Sequence, residues 1–488
     1  MIRGAKNAGV FVSLIGGVAV LSACPAVLDD RCSENACVAV DAGSDGDDLL
    51  DVVIPPGCDL TKSPKESPEC VTDGVGVFVS PTGKDGAAGT KAEPLRSIAE
   101  AVTRRKPRVY VCEGEYEGAV TITEQVSLYG GFSCAWEPSD ARVRLAPPKG
   151  VALKVLNVLT PIVVESVDII GHADAELSGD SAVAAFVSES NVTFRGVNLV
   201  AGPGTPGEKG GTKSNYTGVA KNGGNATASS GGKETMCACA DGKTSSSGGR
   251  GGTVGTGALD PTSGSANPAV GGINEGNNGA SSCVPGIAGS PGTATTGGDG
   301  AFAPGTLTNA GWDSSKLGTA GEPGNPGQGG GGGGGITMSA QGGSGGACGG
   351  CGGGGGEPGS NGGSSFALLA YRSTVTIDGG TLTSGVGGKG GDGGSGQDGQ
   401  TPGTTGLGAC AGGSGGAGAG GSGGGGGAGG HSVPIGYVGT EPIVNGATLK
   451  PDAQGAGGSG GEGGKGPGNA GAKGKAGAEG KSQNSLSL

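Results

Sequence analysis

The sequence predicts an all-β chain: a right-handed parallel β-helix with a short N-terminal capping helix and long Gly-rich insertions at its corners. Three observations carry this prediction. A ten-residue pattern recurs along the chain, Gly makes up 119 of 488 residues, and each Gly-rich block begins just after one copy of the pattern. The clearest copy is NVTFRGVNLV at 191–200, where Val192, Phe194, Val197 and Leu199 fall on one side. PIVVESVDII at 161–170 repeats it with Ile162, Val164, Val167 and Ile169. TVTIDGGTLT at 374–383 does so with Val375, Ile377 and Leu382, and EPIVNGATLK at 441–450 with Val444, Ala447 and Leu449.

Two residues interrupt the alternation in every copy: Glu165-Ser166, Arg195-Gly196, Asp378-Gly379 and Asn445-Gly446. Gly after Asp or Asn is turn chemistry, so each copy reads as two short strands bent at a corner. The ten residues before each copy (151–160, 181–190, 364–373 and 431–440) are also alike and add a third strand. A single unit cannot bury its apolar row, whereas stacked units share a continuous core. The runner-up, an antiparallel sandwich, gives no reason for three-strand units to recur in register.

In chain order, residues 1–23 read as an export signal: Arg3 and Lys6, an apolar run over 10–20, then Leu21-Ser22-Ala23-Cys24. The run is short for a membrane span. Its end resembles the lipobox of bacterial lipoproteins, which implies a lipid on Cys24; Pro25 in place of Asp favours, by that analogy, the outer membrane. Setting Cys24 aside leaves an even 12 of the 13 cysteines, as expected of an exported, disulfide-bonded chain. Cys32–Cys37, Cys58–Cys70 and Cys112–Cys134 are plausible local bridges. Cys237, Cys239, Cys283, Cys348, Cys351 and Cys410 lie in Gly-rich sequence with their pairing open. Cys348-Gly-Gly-Cys351 lacks a second CxxC or a nearby His, so disulfides are favoured over zinc.

Residues 24–74, rich in Asp29, Asp30, Asp41, Asp45, Asp47, Asp48 and Asp51, read as an acidic flexible tether. The Asp45–Asp48 spacing is not that of a calcium loop. Folding is expected over 75–201, with strands at 77–80 and 109–112 and a helix over 94–102 starting at Pro94. Leu95, Ile98, Ala99 and Val102 form its apolar face, which would cap the first rung. Later rungs are expected at 363–384 and 431–451.

The segment VFVSPTGKDGAAGTKAEPLRSIAEAV, followed by RVYVCEGEYEGAVTITEQVSLYGGF, resembles the opening of bacterial proteins of the pectin-lyase-like superfamily. The matching positions are Thr82-Gly83, Gly89-Thr90, Pro94-Leu95, Val109–Val111, Gly114 and Tyr116. The resemblance implies a parallel β-helix over roughly 75–202 and at the two later rungs. It implies little about activity.

The Gly-rich blocks span about 202–362, 385–430 and 452–488, and all leave at the same corner, after Val200, Thr383 and Lys450. Gly-x-Gly triplets at 385–396 and 455–466 have the three-residue period of an extended polyproline-II-type strand. For 385–430 and 452–481 an ordered polyglycine-II bundle and disorder are equal expectations. For 202–362 the scarcity of apolar residues favours disorder or loose packing. In composition the blocks resemble the polymorphic Gly-rich (PGRS-type) bacterial surface proteins.

No catalytic group stands out. Enzymes of the superfamily carry carboxylates, calcium or a basic residue on an outer sheet face. Here the outward positions of the strand before each rung are Lys154, Ala184, Ala367 and Pro434, then Leu156, Phe186, Leu369 and Gly436. That face lacks paired carboxylates for glycoside hydrolysis, and its apolar character calls for a cover, for which the Gly-rich blocks are candidates. Asp168, His172, Asp174, Arg372 and Asp378 are isolated candidates, each more simply a surface turn residue. The net charge of −12 and the absence of a phosphate-loop motif argue against nucleic-acid and nucleotide binding. The expectation is therefore a non-enzymatic, lipid-anchored surface protein without cofactor or metal. Its expected partners are the membrane, through the lipid on Cys24, and extracellular glycans or surface proteins. A polysaccharide-active lyase or hydrolase is the alternative.

Overall fold

A computed structural model describes residues 52–488, so the signal-like segment, Cys24, Cys32, Cys37 and residues 24–51 of the expected tether lie outside the described residues. The chain is all-β, built on three parallel sheets whose strands are mostly distant in sequence. Sheet I has seven strands: Gly76–Val79, Arg108–Cys112, Ser127–Phe132, Ile162–Glu165, Asn191–Arg195, Thr374–Asp378 and Ile443–Asn445. Sheet II has six: Val120–Ile122, Leu153–Leu156, Ala182–Ser188, Ser365–Tyr371, Ser432–Val438 and Ser485–Ser487. Sheet III also has six: Gly114–Tyr116, Val143–Leu145, Val167–Gly171, Asn198–Ala201, Thr381–Thr383 and Thr448–Lys450. From Leu153 onward the chain visits II, I and III in that order, once per circuit. This arrangement is compatible with a β-helix.

The recurrent pattern explains the register. Val192, Phe194 and Arg195 pair with Ile162, Val164 and Glu165 on one side, and with Val375, Ile377 and Asp378 on the other. Apolar residues therefore stack on apolar residues. Phe194, Leu199, Val164, Ile169, Ile377 and Leu382 are all completely buried in one core shared by the three sheets. The corner is specified by backbone conformation. Ser166, Gly196, Gly379 and Gly446 all have positive φ, 57°, 56°, 70° and 66°, where a Cβ is disfavoured. The last copy closes the stack instead of filling it, so Ile443 and Val444 are exposed.

The structure changes two N-terminal expectations. The helix is a single turn, Ile98–Ala101, capped by the Ser97 side chain, and does not begin at Pro94. Leu95 is drawn into sheet I, where its N–H donates to the Phe78 carbonyl and its carbonyl accepts from the Ser80 N–H. The final part of the expected tether, 52–74, is packed and not free. Cys58 is bonded to Cys70, Ser63 and Ser67 are buried, and Val71 joins Phe78, Tyr110, Tyr129 and Phe132 on the outer face of sheet I. Arg108, 1% exposed, lies over the Tyr129 ring and donates to the Lys62 carbonyl at 2.7 Å. The acidic residues that set the sequence reading end at Asp51; beyond them an aromatic face supplies the burial.

The larger correction concerns the Gly-rich blocks: 202–362, expected to be disordered or loose, is held by backbone hydrogen bonds to segments distant in sequence along much of its length. Gly204, Gly207 and Gly210 donate to Val386, Lys389 and Asp392, and the row continues with Ala220 donating to Thr401 and Gly223 to Thr404.

The segment 410–430 donates hydrogen bonds in three directions and accepts them from three further segments, 350–362, 286–301 and 455–464. Gly418, Gly421, Gly424 and Gly427 donate to 391–400, Ala419, Ser422 and Gly425 to 319–325, and Gly420, Gly423, Gly426 and Gly429 to 469–478. Each third residue thus serves one neighbour, and Ala419, Ser422 and Ala428 are fully buried. Backbones this close leave no room for side chains. A Cβ on Gly352 would overlap the Gly324 carbonyl oxygen. Three disulfides cross-link this part, Cys237–Cys348, Cys239–Cys351 and Cys283–Cys410; besides Cys58–Cys70, a fifth, Cys112–Cys134, joins the sheet I strand Arg108–Cys112 to the turn after Ser127–Phe132.

This packing can be tested by substitution. Phe194→Asp places a charge in the closed core and should abolish cooperative folding, a loss above about 4 kcal/mol. Arg195→Ala removes the ion pair to Glu165 at 3.1 Å, and Glu165 is 7% exposed. Burial, opposed by Arg195, already raises the Glu165 carboxyl above its ordinary value. The variant should cost roughly 1–2 kcal/mol at pH 7. The loss should shrink as the pH is lowered and the carboxyl takes up a proton; a loss that does not change with pH in thermal melts would refute this. In the Gly-rich part, Gly352→Ala should cost roughly 1–3 kcal/mol by overpacking. Gly218→Ala, with open space at its Cβ, should stay within about 0.5 kcal/mol of wild type.

Candidate functional site: the outer faces of the stack

The outer face of sheet II is the most apolar surface of the stack, and it is covered. Val183, Phe186, Phe366, Leu369 and Val433, with Leu486 of the last sheet II strand beside them, are buried beneath Leu307 and Trp312. Leu307 and Trp312 come from an antiparallel hairpin, Thr306–Thr308 with Gly311–Asp313, inside the 202–362 block. Sequence reasoning missed this hairpin, although Asn309-Ala310-Gly311 between two apolar residues is a turn signal. It also placed Ala184 and Ala367 outward. Both belong to the interior core, and Val183 and Phe366 face out, because Val183↔Phe366 is followed by Ala185↔Leu368 with an irregular step between.

Trp312 packs against Phe366 at a centroid distance of 4.9 Å with the rings tilted by 58°, and meets His431 edge-on at 6.0 Å. His431 Nδ1 accepts from the Lys481 backbone N–H at 2.9 Å, which ties the chain's last segment to this cluster. Burial, and secondarily the charge of Lys481, lowers the His431 pKa to about 4. A cavity of about 210 Å³ remains under the hairpin, lined by Lys154, Asp180, Val183, Phe186, Trp312 and Leu369. Trp312 Nε1 is buried without a hydrogen-bond partner. The Asp180 carboxylate already accepts from the Asp174 N–H at 2.6 Å. The arrangement can hold a ring against an aromatic wall; it offers one lysine and one engaged carboxylate, not an acid–base pair.

The residues singled out from sequence do not converge. On sheet III, Asp168 accepts from Arg142 Nη2 at 2.6 Å and Asn198 Nδ2 at 2.7 Å. His172 Nδ1 lies 3.0 Å from the Pro147 carbonyl. Asp174 pairs with Lys149 Nζ at 2.7 Å, and that bond holds its carboxyl below the usual value. Arg372 covers the Tyr371 ring at a corner, and Asp378 accepts from Asn445 Nδ2 at 2.8 Å. Each is satisfied by a local partner. Among the described residues no three His, Cys, Asp or Glu side chains are grouped to hold a metal ion, and no helix is long and apolar enough to cross a membrane. Cys348 and Cys351 bond the two cysteines of Cys237-Ala-Cys239 instead of sharing a metal.

Comparison with protein-family models, with curated proteins and with solved structures returns no match.

The His431 cluster gives a pH prediction. A histidine whose folded pKa lies below its unfolded value contributes stability that is whole above about 6.5 and lost as pH falls toward about 4. The shift corresponds to roughly 3 kcal/mol. His431→Asn retains an acceptor for the Lys481 N–H and does not titrate, so its melting temperature should fall less between pH 7 and pH 4. Parallel profiles for the two proteins would show that His431 is not the group responsible.

Proposed function

We propose that the chain is a non-catalytic, lipid-anchored cell-surface protein: a right-handed parallel β-helix that carries a polyglycine-II-type bundle and acts as a scaffold or adhesin-like binder. The handedness rests on the strong preference of parallel crossover connections. Export and acylation at Cys24 rest on the sequence of the first residues and on the disulfide-rich chain.

One observation carries the non-catalytic reading: the outer faces of the stack are occupied. The sheet II face lies under Trp312 and Leu307, part of the sheet I face lies under 52–74, and the sheet III carboxylate Asp168 is held by Arg142 and Asn198. Extracellular glycans or surface proteins are the partners this reading implies. The competing reading is a polysaccharide lyase or hydrolase.

The two separate in one experiment. The full chain carrying Cys24→Ala, which removes the proposed acylation site, is applied to a glycan array with and without Ca²⁺, and released sugars are assayed. Retention of a glycan without release is the expected result. Release of sugar from any polymer would overturn the non-catalytic reading and direct attention to Asp168, His172 and Asp174. In cells, a fatty-acid label should appear on the wild-type chain and be lost in Cys24→Ala.

A further inference from the structure

The chain contains four Asn-Gly pairs: Asn222-Gly223, Asn278-Gly279, Asn361-Gly362 and Asn445-Gly446. An Asn side chain and the backbone nitrogen that follows it can close into a cyclic imide. Gly opposes this least, because no Cβ crowds the approach. The fold treats the four pairs differently.

In three of them one residue of a neighbouring segment grips both reacting groups. Gly223 donates to the Thr404 carbonyl at 2.9 Å, and the Thr404 N–H donates to Asn222 Oδ1, also at 2.9 Å. Gly279 donates to Gly335 at 3.0 Å, and Gly335 donates back to Asn278 Oδ1 at 2.7 Å. Gly362 donates to Ala428 at 2.8 Å, and Ala428 to Asn361 Oδ1 at 2.9 Å. In each the nucleophile and the group it would attack are held by the same clamp.

The fourth pair forms the corner of the last rung. At the earlier corners the backbone amide donates to the next copy: Ser166 to Arg195 at 3.0 Å, Gly196 to Asp378 at 2.8 Å and Gly379 to Asn445 at 2.8 Å. Gly446 has no following rung, and its N–H has no acceptor among the described residues. Asn445 and Gly446 are both exposed, and the space around a Cβ at Gly446 is open. The Asn445 carboxamide is held through its nitrogen, Nδ2 donating to Asp378 Oδ1 at 2.8 Å, and not through its oxygen.

We propose that Asn445-Gly446 is a self-modification site, at which the Gly446 nitrogen attacks the Asn445 side-chain carbonyl carbon. The bond from Gly446 N to Asn445 Cγ forms and the Cγ–Nδ2 bond breaks. The Gly446 amide proton passes through solvent to Nδ2, which leaves as ammonia. Water, the one co-reactant, then opens the imide at either carbonyl and leaves aspartate or isoaspartate. Both products place a carboxylate beside Asp378, the partner of residue 445 in sheet I. Like charges directly opposite weaken strand pairing. Isoaspartate also routes the main chain through the side-chain carbon, which lengthens the corner between Ile443–Asn445 and Thr448–Lys450. The modification therefore loosens the last rung, which is held from one side only in sheets I and III.

The test ages the folded full chain in mildly alkaline heavy-oxygen water, quenches it in acid, digests it with pepsin and reads each pair by mass spectrometry. Residue 445 should take up the heavy oxygen at least about tenfold faster than the other three, the factor that one backbone hydrogen bond supplies. In the reduced chain unfolded in denaturant the four pairs should be labelled at similar rates. Isoaspartate, detected by isoaspartate-specific methyl transfer, should appear at 445. In the aged chain the Thr448 amide, which donates to Gly380 at 3.0 Å, should exchange with deuterium faster than in fresh protein. Asn445→Gln, whose longer side chain closes a ring far less readily, should age without that change. No label at 445, equal label at all four pairs of the folded chain, or the same preference in denaturant would each overturn the proposal. Aspartate as the sole product would overturn it too, because it means direct hydrolysis without Gly446. Unchanged exchange at Thr448 after ageing would refute the loosening of the rung.

Discussion

The structure depends on how closely two backbones can approach when nothing projects between them. A main chain offers one N–H and one C=O per residue, and a strand in a sheet spends them on two neighbours. In the segment 410–430 successive residues turn through three directions, so that the N–H groups reach three neighbours and the C=O groups accept from three more, 350–362, 286–301 and 455–464. That is feasible only where the contact positions are Gly, with Ala or Ser where a gap opens, as at Ala419, Ser422 and Ala428. The core of this part is thus made of amide contacts, and burying so many amides without partners would be prohibitive. The ordering cost of Gly is high, and the disulfides lower it by restricting the unfolded chain.

The stack sets the register of this array. Val200, Thr383 and Lys450 are neighbours in sheet III. The segments that leave them continue the same ladder, Gly204 donating to Val386 and Gly387 to Ala453. On return, Ser365 donates to His431 and Ser432 to Lys481, which hands the ladder to sheet II. The apolar core fixes the spacing of the launch points, and the Gly-rich segments inherit it. This is why all three blocks interrupt the circuit at one corner.

Much of the stack was legible because its code is local. Phe194 and Leu199 alternate with polar residues, and Gly196, Gly379 and Gly446 mark a corner needing positive φ. The misreadings share one physical cause: they concern contacts set by partners distant in sequence. The order of 202–362 comes from partners such as Thr401 and Gly425; its outward positions carry Glu208, Lys209 and Lys213, which break the visible period without disturbing the contacts. Pro94 and Leu95 had the pattern of a helix start, yet sheet I needed the Leu95 amide. The irregular step near Ala184 shifts which residues face out by one, a change that periodicity does not reveal. At the candidate site, the apolar outer face was apparent in Phe186 and Leu369, whereas Trp312 and His431, which close over it, were not.

The connectivity of the bundle also governs when it can exist. The segment 204–210 is bonded to residues 386–392, and the segment 410–430 is flanked on one side by 469–478. During synthesis the first of these therefore waits until residues 386–392 have been made, and the second until residues 469–478 have followed. Contacts of such long range close slowly, because loop entropy is lost before the bonds form. A chain emerging N-terminus first can assemble Leu153–Leu156 on Ala182–Ser188 early, then must keep a long Gly-rich stretch unpaired until the remaining strands arrive. Low apolar content suits that interval: the waiting segments expose little that could aggregate.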